Sequence, residues 1–306
     1  MPHFYFVLTN PEVESLLKIE VKDLKLAYSR PGFMTFKSEC PVRFNPKMAR
    51  LSGLCLGKFK LSELKMDKAW VWKRDDSYIL PDELKDLTEK TFYRIGEKVT
   101  LIMMVGPDEF WVGEYELLPT HFQTPGEVSS ILEKDVPSRA YYKIAEAFEA
   151  FDLPFEEGDR VLELGSAPGG ASLFLLDQGL KVLGVDPAEM DPEILKNKNF
   201  KHLKKPFETL GEDTFKDNVH WILSDVNLPP TVVIKEVGRL LSFLNPKGVI
   251  LTLKLNQPKH LDLLDHTVDK FHQAGFMCVK LKYLPSHRQE IALVALLQDL
   301  ETGPKR

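Results

Sequence analysis

Three ionisable side chains stand where apolar runs of this sequence begin or end, and a fourth lies in a helical stretch nearby. Asp225 follows the run His220–Ser224, Lys254 closes Val249–Leu253, and Glu290 opens Ile291–Leu297. Lys143 lies in a helical stretch shortly before the run Arg160–Leu164. A lysine closing a buried strand is unusual, because Lys is almost never fully buried unless paired. Amines set beside carboxylates suit one kind of chemistry, drawing a proton from a poor nucleophile such as an alcohol. An ordinary lysine, with a pKa of about 10.4, is neutral in only about one molecule per thousand near pH 7.4. Desolvation and a second cation nearby lower that value, so Lys254 is expected to be depressed, while a carboxylate positions the amines and limits the shift. Taken singly, Lys143 also reads as an exposed helix lysine and Glu290 as a strand-entry charge.

A second cluster comes earlier in the chain. The stretch Val161-Leu-Glu-Leu-Gly-Ser-Ala-Pro-Gly-Gly170 is an apolar strand running into a glycine turn at a helix start. A phosphate-cradling loop needs Gly-Lys-Ser/Thr at its end, whereas Ala171 and Ser172 follow Gly170 here. A dinucleotide fingerprint needs Gly-x-Gly-x-x-Gly, and the glycines stand at 165, 169 and 170. The third reading is an S-adenosylmethionine site, whose ligand offers a carboxylate, an ammonium, a ribose diol and an adenine. Its candidate contacts are Glu163, Gly165, Ala167, Pro168, Gly169, Gly170, Asp186 and Asp225. Glu163 is a possible partner for the ammonium, and Gly165 and Gly169 would let backbone approach the ligand. Asp186 ends the next apolar run, 23 residues beyond Glu163, where a carboxylate can accept both ribose hydroxyls. Because Pro187 follows, Asp186 also reads as a helix cap. Combined with the first cluster, this cofactor implies methyl transfer to a hydroxyl.

The elements that must position these residues follow a regular alternation from Ser138 onward. A helix is predicted with Ser138 as N-cap and Ile144, Ala145, Phe148 and Phe151 on its apolar face. Strands are predicted at Arg160–Leu164, Lys181–Val185, His220–Ser224, Val249–Leu253, Phe276–Leu281 and Ile291–Leu297. Helices are predicted at Ala171–Gln178, Thr231–Leu244 and His260–Ala274. Strands separated by helices of this length imply an α/β domain, a mostly parallel doubly wound sheet of Rossmann-like type. Ligands of such sheets lie beyond the carboxyl ends of the strands, where every candidate above falls.

Residues 1–117 have a different texture. Strands are predicted at Phe4–Leu8, Gly32–Phe36, Val99–Val105 and Phe110–Glu116. Pro11–Ile19 and Pro81–Lys90 open with proline and acids, as helix first turns do. This is a smaller α+β domain. Residues 118–137 hold three prolines and one glycine without a sustained period, and read as the linker to a catalytic domain over 138–306.

Composition sets the outer bounds. A hydrophobic share of 43% with 28% charged residues is a soluble globular profile. No run reaches the roughly 18 apolar residues that span a bilayer. The start MPHFYFVLTN reads as a first strand rather than a signal peptide, since it lacks a basic leading region and a cleavage site. Cys40, Cys55 and Cys278 fit neither a disulfide framework nor a zinc site, and the histidines show no ligand spacing. A cytoplasmic monomer with no metal and no membrane partner is expected. The net charge of −5 argues against indiscriminate nucleic-acid coating. From Lys37 to Arg74, however, ten basic residues face three acids, either a solvated face or a phosphate-contacting surface. Trp70, Trp72, Phe110 and Trp111 read as core, with base stacking as the second possibility.

In combination these motifs resemble the FtsJ-type ribose methyltransferases. The resemblance runs in order through Ser138-Arg-Ala-Tyr-Tyr-Lys143, Leu164-Gly-Ser-Ala-Pro-Gly-Gly170, Met190-Asp-Pro, Ser224-Asp225, Leu253-Lys254 and Ser286-His-Arg-Gln-Glu290, from about residue 137 to 297. It implies S-adenosyl-L-methionine as cofactor, a Lys-Asp-Lys-Glu tetrad at Lys143, Asp225, Lys254 and Glu290, and Lys254 as proton acceptor. The overall arrangement is similar to family members that 2′-O-methylate a cytidine of large-subunit (23S) ribosomal RNA. Those place a ferredoxin-like and THUMP-type RNA-binding region first, and Val99–Val105 with Phe110-Trp-Val-Gly-Glu-Tyr115 fits its closing strands. The resemblance also implies an adenine-facing acid after the third strand, where this chain has Lys204-Lys-Pro206-Phe207. Two alternatives stay open. An RNA base methyltransferase would want Asn/Asp-Pro-Pro-aromatic, and Asp225-Val-Asn-Leu-Pro-Pro-Thr231 displaces the prolines and lacks the aromatic. A non-catalytic RNA-binding or ribosome-assembly protein could keep the same fold.

Overall fold

The computed structural model describes residues 2–118 and 135–298, so the predicted linker lies almost wholly outside the described residues. The chain divides into two compact units, Met1–Ser130 and Ile131–Arg306.

The first unit is built on one seven-stranded sheet. In chain order it comprises β1 (His3–Leu8), α1 (Glu14–Glu20), β2 (Lys25–Arg30), β3 (Phe33–Ser38), β4 (Leu51–Phe59), β5 (Trp70–Lys73), α2 (Asp82–Lys90), β6 (Lys98–Gly106) and β7 (Glu109–Glu116). The spatial order is β2-β3-β1-β4-β7-β6-β5. Its first four strands follow the split β-α-β order of a ferredoxin-like sheet, but no helix joins β3 to β4, and three further strands extend the sheet. Asn10 opens the first helical turn by accepting a hydrogen bond from the Glu12 N–H, with Pro11 behind it. Gly53 and Gly113 flank the Phe6 ring, and a Cβ on Gly113 would lie 2.5 Å from it. Trp70 and Phe110 are buried, which overturns a stacking role for both, while Trp72 and Trp111 pack half-buried against the core.

The second unit comprises α3 (Ala140–Phe151), β8 (Arg160–Leu164), α4 (Gly170–Asp177), β9 (Lys181–Val185), α5 (Pro192–Leu195), β10 (Phe200–Leu203), β11 (Trp221–Ser224), α6 (Pro230–Leu241), β12 (Gly248–Lys254), α7 (Lys259–Gln273), β13 (Cys278–Lys282) and β14 (Glu290–Leu296). The sheet order is β10-β9-β8-β11-β12-β14-β13. The five strands from β10 to β12 are parallel, and β14 enters antiparallel between β12 and β13. That reversal has a consequence for the site. An antiparallel strand begins at the edge where its parallel neighbours end, so β14 delivers its first residue to the ligand edge and sets Glu290 opposite Lys254. The strands read as near-continuous apolar runs because helices cover both faces. Helix α3 starts one residue later than predicted, with the Ala140 N–H donating to Ser138 Oγ at 3.4 Å. Among the described residues no helix is long and apolar enough to cross a membrane, and no group of His, Cys, Asp and Glu could hold a metal ion.

Candidate active site

The four ionisable residues singled out in the sequence, three bounding apolar runs and one on a helix, meet at one point. Lys143 reaches from α3, Asp225 follows β11, Lys254 ends β12, and Glu290 starts β14. Lys143 Nζ lies 3.0 Å from Asp225 Oδ2 and 2.8 Å from Glu290 Oε1. Lys254 Nζ donates to Asp225 Oδ1 at 3.3 Å and also to Glu290 Oε2. Each amine thus bonds both carboxylates, a closed ring of alternating charge. The side chains are only 7 to 15% exposed, so the ring is screened far less than a surface pair would be.

The charges do not behave as the sequence led us to expect. Burial favours the neutral form of Lys254, yet the charge of Asp225 and the hydrogen bonds with Glu290 outweigh it and hold the amine above its ordinary value. Burial likewise pushes Glu290 up, but hydrogen bonds from Lys143 and Lys254 override it and hold the carboxyl at about 2. Two carboxylates, rather than a second cation, dominate the free site. Depression of Lys254 is absent from this state.

Around the glycine turn the structure redistributes the expected roles. Gly165 and Gly169 take positive φ of 78° and 118°, which favours glycine. Added Cβ atoms would meet Val226 Cγ1 at 2.2 Å and Ile194 Cγ1 at 2.8 Å, and one on Gly170 would meet Ser138 Oγ at 2.2 Å. These glycines therefore make room for protein neighbours first. Ala167 and Pro168 lie in the turn itself, and Asp186 Oδ2 holds it by accepting from the Ala167 N–H at 3.1 Å. Asp186 Oδ1 accepts from the Ala188 N–H at 2.8 Å in a local turn, whereas the next helix, α5, is capped by Asp191, so the helix-cap reading of Asp186 is not realised. Each oxygen keeps a second lone pair for a ligand. Glu163 is buried beneath the turn and accepts from Ser172 Oγ at 2.5 Å. Burial raises its carboxyl to about 8, which leaves it largely protonated near neutral pH rather than ready as an ammonium's counter-ion.

The donor set nevertheless fits a sulfonium amino acid. The N-terminus of α4 offers the positive end of a helix dipole to a carboxylate, and Asp225 supplies negative charge for a cation. A small cleft bordered by Lys143, Ser224, Asp225, Thr252 and His287 adjoins the ring, and Ser224 Oγ is buried there without a hydrogen-bond partner. Where the resemblance implies an adenine-facing acid, Lys204 pairs with Glu189, and Phe207 is buried. Three residues of the site escaped sequence reasoning: Arg139, Glu146 and Ser172. Glu146 stands one turn beyond Lys143 on α3, and that i, i+3 spacing was the available signal.

A Rossmann-like sheet with a glycine turn after its first strand, acids at the ends of its second and fourth strands and a lysine closing its fifth defines an α/β methyltransferase fold. Residues 136–282 match the FtsJ-like methyltransferase family. Among curated proteins, the large-subunit ribosomal RNA methyltransferase M of Pseudoalteromonas atlantica is 27% identical over 172 residues, 52% of this chain and 48% of that protein. The corresponding protein of Shewanella frigidimarina is 29% identical over 141 residues, 43% of this chain and 38% of that protein. The chain thus spans about half or less of the length of these relatives, and the likeness is one of FtsJ-family homology at low identity. Among solved structures, fibrillarin from Aeropyrum pernix, crystallised with bound S-adenosyl-L-methionine, aligns at a TM-score of 0.40 and 17% identity over 67% of this chain and 84% of its own. At that score the fold assignment rests on strand order and register alone.

Proposed function

We propose that this chain is an S-adenosyl-L-methionine-dependent RNA ribose 2′-O-methyltransferase acting in the cytoplasm on large-subunit ribosomal RNA, with a cytidine as the methylated nucleotide. The observation that carries the reading is the closed ring of Lys143, Asp225, Lys254 and Glu290 at the carboxyl ends of the strands. The cofactor supplies an electrophilic methyl on a sulfonium, and the chain must supply a base for the hydroxyl. Lys254 is that base, because it closes β12 with its amine in reach of two carboxylates. In the free protein it carries a proton that must leave first. A cation bound beside Asp225 offsets the carboxylate charge and lets burial lower Lys254 toward the neutral form. Lys143 and Glu290 keep the amine oriented, and the ring excludes most water.

A base-methylating reading is disfavoured because Pro229 and Pro230 open α6 instead of facing the sheet edge with an aromatic. The N-terminal unit, with its basic stretch from Lys37 to Arg74, is assigned to RNA binding.

Two substitutions test the base. Lys254→Ala removes the amine, and Lys254→Arg keeps the ion pairs with a group that does not deprotonate. Both should lose methyl transfer from labelled cofactor by at least about 100-fold while RNA binding persists. Normal transfer by either variant overturns the mechanism. Mapping 2′-O-methylation across ribosomal RNA with and without the gene then identifies the nucleotide, and loss at a transfer RNA instead would refute the ribosomal assignment.

A further inference from the structure

Helix α3 presents three charged residues in a row along one face. Arg139, Lys143 and Glu146 are spaced by four and three residues, which stacks them on successive turns. All three engage the same short segment, Ser286 to Glu290. Lys143 bonds Glu290 itself. Arg139 Nη2 donates to the Ser286 carbonyl at 3.0 Å and lies 4.0 Å from Glu290 Oε1. Glu146 accepts from the Ser286 N–H, at 3.0 Å through Oε1 and 2.8 Å through Oε2, and from Ser286 Oγ.

Glu146 is the unexpected member. Its side chain is only 3% exposed, on a helix whose neighbouring Ile144, Ala145 and Ala147 face the core. Burying a carboxylate is costly unless it is bonded, and this one takes a backbone and a hydroxyl donor from a single residue. The segment it grips is already a compact turn. Tyr283 Oη donates to the carbonyls of His287 and Arg288, both at 2.8 Å, and the His287 N–H donates to the Leu284 carbonyl at 3.0 Å. Beyond the turn, the Leu255 N–H donates to the Gln289 carbonyl at 2.7 Å, and Glu290 falls in register with Lys254.

We propose that Glu146 is a positioning residue for methyl transfer: by docking Ser286 onto α3, it fixes where the turn enters β14 and so where Glu290 holds Lys143 and Lys254. The proposal rests on the reading of Lys254 as the base. Glu146 never touches the reacting atoms and acts through Ser286 and Glu290. Without it the turn keeps its internal bonds but can shift against α3, and misplacement of a catalytic group by about 1 Å can cost about 100-fold in rate.

The test uses the full-length chain, labelled cofactor and ribosomal RNA lacking the modification, with kcat and both KM values measured. Glu146→Ala should lower kcat about 10- to 100-fold and leave each KM within about threefold. Glu146→Gln should recover most of kcat, because its carbonyl still accepts from the Ser286 N–H while its amide donates to Ser286 Oγ. Ser286→Ala, which removes one donor and disturbs packing little, should lose about 3- to 10-fold in kcat and serves even where Glu146→Ala does not fold. Full kcat in Glu146→Ala or in Ser286→Ala overturns the proposal, as does a loss in Glu146→Gln equal to that in Glu146→Ala. Transfer by the unaltered chain that vanishes in Lys254→Ala but survives intact in Glu146→Ala sinks only this inference. Absence of transfer by the unaltered chain sinks the parent reading and this one with it.

Discussion

Glu163 and Glu290 belong to the same sheet, are both buried, and titrate in opposite directions. Two amines meet Glu290 and hold it at about 2 in spite of burial. Its contribution to stability is therefore present above the ordinary carboxyl pKa and is lost as pH falls toward 2. Burial dominates for Glu163, outweighing the hydrogen bonds from the Ser172 hydroxyl and backbone N–H, and its carboxyl rises to about 8. A raised acid has the reverse sign: the folded chain holds a proton that the unfolded chain releases, so stability drains away as pH climbs from about 4.5 to about 8. Glu163→Gln removes that titration while keeping an acceptor for Ser172. Its melting temperature should gain on the wild type between pH 5 and pH 8.5, as followed by thermal denaturation at both values. An offset that stays constant with pH would refute the raised carboxyl. Asp225, Lys254 and Glu290 were legible because a charge bounding a buried strand breaks the apolar pattern, whereas Lys143, on a helix, stood out only through the family resemblance. The protonation state of Lys254 was not, since it depends on how many carboxylates surround it.

Secondary-structure elements of the second unit were largely legible, because β8, β9, β11 and β12 are apolar runs bounded by turn residues and separated by helical stretches. The missed pieces are short or bland. Strand β10 (Phe200–Leu203) and helix α5 (Pro192–Leu195) have four residues each, too few to show a period. In the first unit β2 is exposed along most of its length, and β4 is interrupted by Gly53 and Gly57, so neither carries an apolar signature. The glycine turn shows how packing refines a motif. Gly165→Ala would strain a positive φ and press a methyl into Val226, and it should cost about 1–3 kcal/mol in chemical denaturation. Gly238→Ala supplies the contrast, since Gly238 lies within α6 with nothing within 4 Å of its would-be Cβ. That change should be neutral or stabilising by up to about 1 kcal/mol. Equal destabilisation of both variants would show that the turn has no special demand for glycine.

Across the whole chain the formal charge is −5, yet the stretch from Lys37 to Arg74 is strongly basic. Some of its charge is spent within the first unit, as Lys37 pairs with Glu39, Lys58 with Glu109 and Lys68 with Glu97. Arg43, Lys60 and Lys65 are exposed. If this surface contacts phosphate, reversing these three to Glu should weaken RNA binding and flatten its salt dependence. A loss of about 0.7–0.9 per contact in the slope of log K against log salt is expected, or about 2–3 for the triple variant. Cofactor affinity, which belongs to the second unit, should not change. Unaltered RNA affinity in the triple variant, measured by titration across salt concentrations, would identify the stretch as a solvated face.

From sequence alone the alternation of strands and helices, the glycine turn and the charges at 225, 254 and 290 could be read, because each departs locally from an apolar background, while Lys143 was marked only by the family resemblance. Only the tertiary structure turned β14 antiparallel, set Glu290 against Lys254, buried Glu163 into a protonated state and docked Ser286 on Glu146. Those outcomes depend on which distant groups come within about 3 Å of one another. Local pattern carries no record of that distance, since pairing across a sheet and burial under a helix are properties of the packed chain.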